Sequence, residues 1–322
     1  MSILNIMTPN KKIKYIEKIY PELLKNLESC RLCPRNCQAN RIKNEKGYCG
    51  QNKDLKIYNS FLHFGEEPPI SGKRGSGTIF FSGCGLRCVY CQNYQFSQLD
   101  NGRVTEEAEL VKIMLNLEKK GAQNLNLVTP THFLPQILKA LKTALEKGLK
   151  LPIVYNSSGY EKKGIVEKIA PTIDSWLLDF KYLNSKTAEK HSNSPRYPNL
   201  IKKIVSYLYN HENGQNRPNR GQIPPIIIRH LILPNHIQES IAILNWINKN
   251  SPKIPISMMS QYQPYFKAKH YQPIKRPLNQ KEYNQIKQLI EELNLNGWLQ
   301  EFITQKEMAG VYFKEDKTGL PD

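Results

Sequence analysis

The chain has 322 residues, of which 39% are hydrophobic and 23% charged, with seven Cys and a formal net charge of +18. This composition is that of a globular protein, and it excludes a disordered, collagen-like or coiled-coil chain. The first twenty residues lack the apolar core of a signal peptide, and no apolar run is long enough to span a membrane. We therefore expect a cytoplasmic protein with no membrane partner. All seven Cys lie between residues 30 and 91. In a reducing cytosol, such clustering favours metal ligands or catalytic groups over disulfides.

The predicted elements begin with a helix over residues 11–28. Residues 30–77 are rich in Cys, Asn, Gly and Lys, which predicts a loop-rich segment held by metal. From residue 78 onward, short apolar runs predict six buried parallel strands, namely Thr78–Phe81, Leu125–Val128, Pro152–Tyr155, Trp176–Phe180, Ile226–Leu233 and Ile256–Met259. Amphipathic runs between and after these strands predict helices, the first of which has Thr105 as its N-cap.

Strands that alternate with helices predict a parallel sheet with right-handed crossovers, either open or curved into a barrel. Six strands are fewer than the eight of a full barrel. The sequence indicates three units. A helix and a four-Cys metal-binding segment occupy residues 1–75, the α/β unit occupies residues 76–303, and a polar tail occupies residues 304–322.

Three Cys follow the first predicted strand closely, with the spacing C-x3-C-x2-C over Cys84, Cys88 and Cys91. Parallel β/α folds place their active-site loops at this end of the strands. Three thiolates on one loop can bind three irons of a [4Fe–4S] cluster and leave the fourth iron open to a ligand from solution. Structural zinc prefers four protein ligands, so the motif fits it poorly. The spacing therefore predicts an iron–sulfur cluster.

With an aromatic residue before the third Cys, this motif resembles the signature of the radical SAM superfamily. The stretch GSGTIFFSGCGLRCVYCQN, residues 75–93, is similar to the pyruvate formate-lyase activating enzyme branch, in particular its PflX-type members. The resemblance covers about residues 25–300. It implies an α/β fold, a partial (β/α)6 TIM-like barrel with an N-terminal Cys-rich metal-binding segment. It also implies that S-adenosyl-L-methionine (SAM) binds the open iron of a [4Fe–4S] cluster through its amino and carboxylate groups.

The same resemblance implies a radical SAM enzyme with oxidoreductase- or lyase-type chemistry. A reduced cluster would pass one electron to SAM, and the 5′-deoxyadenosyl radical that results would abstract a hydrogen atom from a substrate. In the activating branch that substrate is a glycine of a partner protein, a glycyl radical enzyme. The expected electron donor is a reductant such as flavodoxin or ferredoxin. Beyond the cluster ligands, no catalytic residue is assigned.

Polar residues at the strand ends are candidates to bind SAM. Asn156 and Ser158 follow the third predicted strand, and Asp179 and Lys181 share one face at the end of the fourth. The fifth strand contains Arg229, which needs a counter-charge among apolar neighbours, and the SAM carboxylate would provide one. The structural alternatives are an ordinary turn for the first pair and an ion pair for the second.

Three further features concern the substrate side. The resemblance implies a Gly-Gly-Glu after the second strand, which takes the SAM amine, but residues 129–131 are Thr-Pro-Thr. The partner of that amine is therefore left open between Thr129, backbone carbonyls and a neighbouring residue. Ahead of the first predicted strand, His63, Glu66 and Glu67 face either the substrate or solvent. After the sixth strand, Gln261 and Tyr262 are candidates to line the substrate side.

The first four Cys form a second motif, C-x2-C-x3-C-x11-C, over Cys30, Cys33, Cys37 and Cys49. Four thiolates can close a tetrahedral zinc site or hold an auxiliary iron–sulfur cluster, and the spacing does not decide between them. Two other functions remain as alternatives. One is radical SAM modification of RNA or a metabolite, suggested by the positive charge. The other is a non-catalytic, zinc-stabilised protein that binds acidic partners.

Overall fold

A computed structural model describes residues 7–213 and 223–302, so the predicted tail at 304–322 lies outside the described residues. The described residues form nine strands, which are β1 Lys56–His63, β2 Ser76–Phe81, β3 Arg103–Val104, β4 Leu125–Val128, β5 Ile153–Ser157, β6 Ser175–Asp179, β7 Ile226–Leu231, β8 Ile256–Met259 and β9 Gly297–Leu299. The α-helices are α1 Pro9–Leu24, α2 Pro68–Ser71, α3 Tyr94–Ser97, α4 Glu107–Lys119, α5 Leu134–Glu146, α6 Lys163–Ile169, α7 Ser185–Ser192, α8 Tyr197–Asn213, α9 Ile237–Asn250 and α10 Gln280–Glu292. Among these residues, no helix combines the length and the apolar character that crossing a bilayer requires.

The strands form one sheet in the order β3-β1-β2-β4-β5-β6-β7-β8-β9. All six predicted strands are present as β2 and β4 to β8, and each pairs in parallel with its neighbour, which confirms the predicted parallel sheet. The short β9 extends this parallel run, while β1 is antiparallel to β2 and β3 is antiparallel to β1. Residues from β2 at one side to β9 at the other line a single cavity, so the sheet is curved. The fold is an α/β partial barrel.

Two local predictions were wrong. Residues 56–63 form β1 rather than a loop. The sequence does not show this strand, because a bulge between Ile57 and Asn59 and the burial of the polar Asn59 and Ser60 disrupt the apolar alternation that marks a strand. The N-cap of α4 is Glu106 rather than Thr105. The hydroxyl of Thr105 donates instead to the carbonyl of Arg103, at 3.2 Å, so it does not cap the helix.

The segment between β1 and β2 closes one end of the barrel. Because β1 and β2 are antiparallel, with His63 opposite Ser76, residues 64–75 lie at the amino ends of the parallel strands. Ile70 of α2 is fully buried there, in a small apolar cluster with Val154, Leu177 and Ile227, which come from β5, β6 and β7. The barrel is thereby plugged at its amino end. The cysteine loop leaves β2 at the opposite, carboxyl end.

On the outer side of β7, His230 is buried and makes two hydrogen bonds. Its Nδ1 lies 2.6 Å from the carbonyl of Phe180, and its Nε2 lies 2.7 Å from the hydroxyl of Ser240 in α9. A charged imidazolium would lose its hydration here, and burial therefore lowers the pKa of His230 to about 4. This histidine packs the sheet against α9 and stays neutral.

Because His230 is buried in its neutral form, the free energy of unfolding decreases at acidic pH. Below the unfolded-state pKa of about 6.5 the unfolded chain takes up a proton at His230 that the folded chain refuses, so folding stability falls as pH drops from about 6.5 toward 4. We expect His230→Asn, whose Nδ2 amide can replace the Nδ1 donor to Phe180, to reduce the slope of unfolding free energy against pH in this window by up to about 1.4 kcal/mol per pH unit. Denaturant titrations at several pH values measure the slope, and an unchanged slope would contradict the assignment.

Candidate active site at the carboxyl ends of the strands

A cavity of about 370 Å³ lies inside the partial barrel. It brings together eight of the residues that the sequence singled out, namely Cys84, Cys88, Cys91, Asn156, Ser158, Asp179, Lys181 and Arg229. The lining also includes His63, Glu66, Glu67 and Gln261. The first three of these face the cavity rather than solvent, which was one of the two predicted alternatives. By contrast, Tyr262 is fully buried outside the lining, and its hydroxyl donates to the carbonyl of Ile274 at 2.6 Å.

The three thiols of the loop after β2 lie close to one another and within the protein. Burial raises the pKa of Cys84, and the neighbouring Cys88 raises it further. Burial together with both other thiols raises the pKa of Cys91 to about 12. Two hydroxyls reach the sulfurs, because Ser192 donates to Cys88 Sγ at 3.0 Å and Ser97 lies 3.2 Å from Cys91 Sγ. Without a metal, ionising these buried thiols is unfavourable. A bound metal stabilises such thiols in their thiolate form.

Two glycines let this loop pack against the four-Cys segment. Gly83 has a φ of +89°, and a Cβ built there would lie 2.8 Å from the carbonyl of Cys49. A Cβ on Gly85 would lie 3.4 Å from Cys33 Sγ. Across the same contact, Arg35 donates to the carbonyl of Gly85 at 2.8 Å. The two cysteine motifs are therefore neighbours in the fold.

At the carboxyl end of β6, Lys181 supplies positive charge beside the thiols. Its Nζ lies 2.8 Å from Asp179 Oδ2, and both side chains are only 16% exposed. Burial alone would lower the pKa of Lys181, but Asp179 and the thiols of Cys88 and Cys91 outweigh this and raise it. In return, the same lysine lowers the pKa of Cys84. Lys181 is therefore a permanent cation that favours thiolates on the loop.

Inside the barrel, Arg229 of β7 connects several polar groups. Its guanidinium lies 3.0 Å from Asp179 Oδ1 and 3.2 Å from Glu66 Oε2, and it donates to Asn156 Oδ1 at 2.6 Å. From the other side, Asn126 donates to Glu66 Oε1 at 2.9 Å. The counter-charge that the sequence required for Arg229 is thus provided by the protein itself. A contact of Arg229 with the SAM carboxylate stays a prediction.

The segment after β4 contributes Thr129, which has a φ of +58°, to the lining of the cavity. Thr131 points elsewhere, because its hydroxyl donates to Glu161 Oε1 at 2.6 Å. The cavity carboxylates among the described residues come instead from Asp179, Glu66 and Glu67. Nothing in the sequence indicates that Glu66 contacts Arg229, since the two are 163 residues apart and Glu66 lies in a loop.

The four thiols of the N-terminal motif also lie near one another. Burial raises the pKa of Cys33 to about 12 and that of Cys49 to about 11, and in each case other thiols of the motif raise it further. Cys37 forms a hydrogen bond with Cys30 and raises its pKa, after burial as the main cause. At Gly47 a Cβ would lie 3.1 Å from Cys37 Sγ and 3.5 Å from Cys49 Sγ, so only glycine leaves the space between these sulfurs open.

The chemistry of the donor sets fits soft metals, because thiolates select iron–sulfur clusters and zinc. Within residues 7–213 and 223–302, no three His, Cys, Asp or Glu side chains are gathered around one point as the ligands of a single ion would be. The C-x3-C-x2-C spacing on one loop is the donor set of a cluster with one open iron. The metal of the four-Cys motif stays a prediction.

A curved parallel α/β barrel with a three-thiol C-x3-C-x2-C loop at the carboxyl ends of its strands defines the class of protein. The match to the Radical SAM superfamily covers residues 78–217. An uncharacterized protein of Methanocaldococcus jannaschii is 32% identical over 286 residues, which cover 85% of this chain and 78% of the relative. The chain belongs to the radical SAM superfamily. Membership implies a [4Fe–4S] cluster and SAM.

Other relatives match less of the chain. The pyruvate formate-lyase-activating enzyme of Clostridium pasteurianum is 32% identical over 114 residues, 33% of this chain and 45% of that protein. Streptococcus suis SuiB, solved bound to SAM, superimposes with a TM-score of 0.48 and 18% identity over 68% of this chain and 48% of its own. A domain of a Bacteroides vulgatus pyruvate-formate lyase-activating enzyme gives a TM-score of 0.38 and 15% identity, over 52% of this chain and 92% of that domain. This chain spans about half of the SuiB chain.

Proposed function

We propose that this protein cleaves SAM reductively and uses the radical to abstract a hydrogen atom from a bound substrate. One observation carries the proposal. The three thiols of the loop after β2 line the same cavity as the polar side chains at the carboxyl ends of β5 and β6. Under the proposal, this one cavity contains both the ligands of the cluster and the partners of a charged cofactor.

Under this proposal, Cys84, Cys88 and Cys91 hold the [4Fe–4S] cluster. SAM contacts the five polar residues that line the cavity beyond them, namely Asn156, Ser158, Asp179, Lys181 and Arg229. When bound and reduced, the cluster would supply the single electron needed for cleavage of SAM to methionine and a 5′-deoxyadenosyl radical. The protein contributes binding, orientation and exclusion of water.

In this scheme the charge of Lys181 stabilises the thiolates of the cluster loop, and it keeps the carboxylate of Asp179 ionised. Its ammonium lies beside Cys88 and Cys91, where it stabilises the thiolates that the cluster needs. It is held in place by Asp179, 2.8 Å away, which is itself 3.0 Å from Arg229. Burial alone would raise the pKa of Asp179, but these two cations lower it, so the carboxylate remains charged and available to a polar group of SAM.

We propose further that the substrate is a glycine-bearing segment of a glycyl radical enzyme, with flavodoxin or ferredoxin as the electron donor. The similarity to an activating enzyme of Clostridium pasteurianum supports this, over one third of the chain. The four-Cys motif would hold a second metal group, zinc or iron–sulfur. The hydrogen bond from Arg35, within this motif, to the carbonyl of Gly85 in the cluster loop, at 2.8 Å, supports a role in bracing that loop.

The proposal is tested by anaerobic incubation of the reconstituted protein with SAM and dithionite. We expect 5′-deoxyadenosine and methionine in equal amounts, and none when the reductant is omitted. With a glycyl radical enzyme deuterated at glycine as the partner, we expect deuterium in the 5′-deoxyadenosine. No cleavage under reduction would contradict the reaction. Cleavage without deuterium transfer would contradict only this substrate.

A further inference from the structure

The carboxylate of Glu67 is an unusual feature of the cavity. Glu67 is only 8% exposed and lines the cavity, next to Ser257 of β8, with which it forms a side-chain hydrogen bond. Its other oxygen, Oε2, is buried and has no hydrogen-bond partner among residues 7–213 and 223–302. A buried polar atom without a partner is destabilising, and more so when the group is charged. Such an atom in a ligand cavity points to a group that the ligand brings.

The charges around Glu67 identify the sign of that group. Two cations of the cavity, Lys181 and Arg229, are in contact with Asp179 and Glu66. The remaining lining cation of the described residues, Arg87, is directed to Tyr48, whose carbonyl accepts from it at 3.1 Å. Arg229 also attracts Glu67, but no cation of the described residues lies in ion-pair contact with it, so the three cavity carboxylates Asp179, Glu66 and Glu67 share two cations. One positive charge on the ligand would balance the third carboxylate.

The position of Glu67 separates it from the cysteines. It precedes α2, in the segment that plugs the amino ends of the strands, whereas the cysteine loop leaves the carboxyl end of β2. Under the proposed function, the SAM sulfonium is cleaved at the cluster that the cysteine loop holds. A cation beside Glu67, toward the opposite end of the same cavity, is therefore assigned to the substrate.

We propose that Glu67 binds a primary ammonium group of the substrate, carried on an apolar stem. This inference rests on the proposed function, and it adds the chemical class of the substrate. A single open oxygen suits an ammonium, which is a point charge, better than a guanidinium, which prefers two acceptor oxygens. The apolar side chain of Trp298, whose strand pairs with β8 at Ser257, also lines the cavity and would contact the stem. A free alkylamine and a lysine side chain of a protein substrate share this chemistry.

Calorimetric titration of the anaerobically purified, SAM-bound protein tests the inference. The probes are n-butylamine, Nα-acetyl-lysine amide and, as the neutral isostere, 1-butanol. We expect both amines to bind and 1-butanol not to bind. Glu67→Gln should weaken amine binding about 10- to 100-fold, as expected for loss of a charged hydrogen bond. The exposed Glu106→Gln is the matched control and should bind as the wild type does. Binding of n-butylamine alone would identify a free amine as the source.

The melting temperature distinguishes ligand binding by Glu67 from a purely structural role. Because Glu67→Gln removes a buried charge without a contact counter-ion, we expect the melting temperature of the amine-free protein to stay the same or rise. Equal binding of amines by wild type and variant would overturn the inference, as would a parallel loss of SAM affinity, which would assign Glu67 to the SAM amine. If Glu67-dependent binding is found but SAM is not cleaved, the proposed function fails while the subsite stands.

Discussion

Cys88→Ala protein, reconstituted anaerobically, is expected to form 5′-deoxyadenosine only at the level of a protein-free control. Cys88 is the middle thiol of the loop, is buried, and accepts a hydrogen bond from Ser192 at 3.0 Å. With two thiols left, the loop lacks the third anchor that fixes a cluster and orients its open iron toward the cavity. Product is measured by chromatography after incubation with SAM and dithionite.

The matched control for this substitution is Val89→Ala. Val89 is the next residue of the same loop and is half-buried, but it does not line the cavity. We expect this variant to retain most of the activity. If Cys88→Ala cleaves SAM at the rate of the wild type, the cluster is not held by this loop.

Arg229→Met is expected to lower the free energy of unfolding by about 3–5 kcal/mol, because it leaves buried carboxylates without their counter-charge. Arg229 contacts Glu66 and Asp179, which are 8% and 16% exposed in their side chains. Burial raises the pKa of Glu66, and Arg229 opposes this, so part of the loss would be relieved by protonation of Glu66. Denaturant unfolding of the reduced protein gives the value.

The exposed ion pair of Arg103 and Glu109 offers the control, since its arginine side chain is 43% exposed. Arg103→Met should cost no more than about 1 kcal/mol. In the double variant Arg229→Met with Glu66→Gln, we expect part of the lost stability to return, because one uncompensated carboxylate is gone. Equal losses for the Arg229 and Arg103 variants would show that the buried network contributes little.

The barrel was predictable because its strands are short, apolar on both faces and separated by amphipathic helices. Ile226–Leu231, for example, stands out as an apolar run, and even its Arg229 correctly indicated a buried counter-charge. In contrast, β1 contains buried Asn59 and Ser60, and β9 has three residues, so neither carries a recognisable period. Strands of this kind form because they pair with an existing edge of the sheet, and their own sequence pattern does not predict them.

The cysteine loop was predictable because its ligands are close in sequence and follow a strand. The ion-pair network was not, since Glu66 and Arg229 are 163 residues apart and meet only because the β1–β2 segment plugs the barrel. A buried arginine in a strand predicts that a negatively charged partner exists, but which residue provides that charge depends on tertiary packing. For the same reason, the carboxylate of Glu67 could be placed in the cavity only with the fold at hand.

Electron paramagnetic resonance of the dithionite-reduced protein, recorded before and after addition of SAM, tests most directly whether three thiolates leave one iron free. We predict the signal of a reduced [4Fe–4S] cluster, which changes in shape when SAM binds, and no such change in the Cys88→Ala variant. A protein without iron and acid-labile sulfide, or a cluster signal that SAM leaves unaltered, would contradict the account.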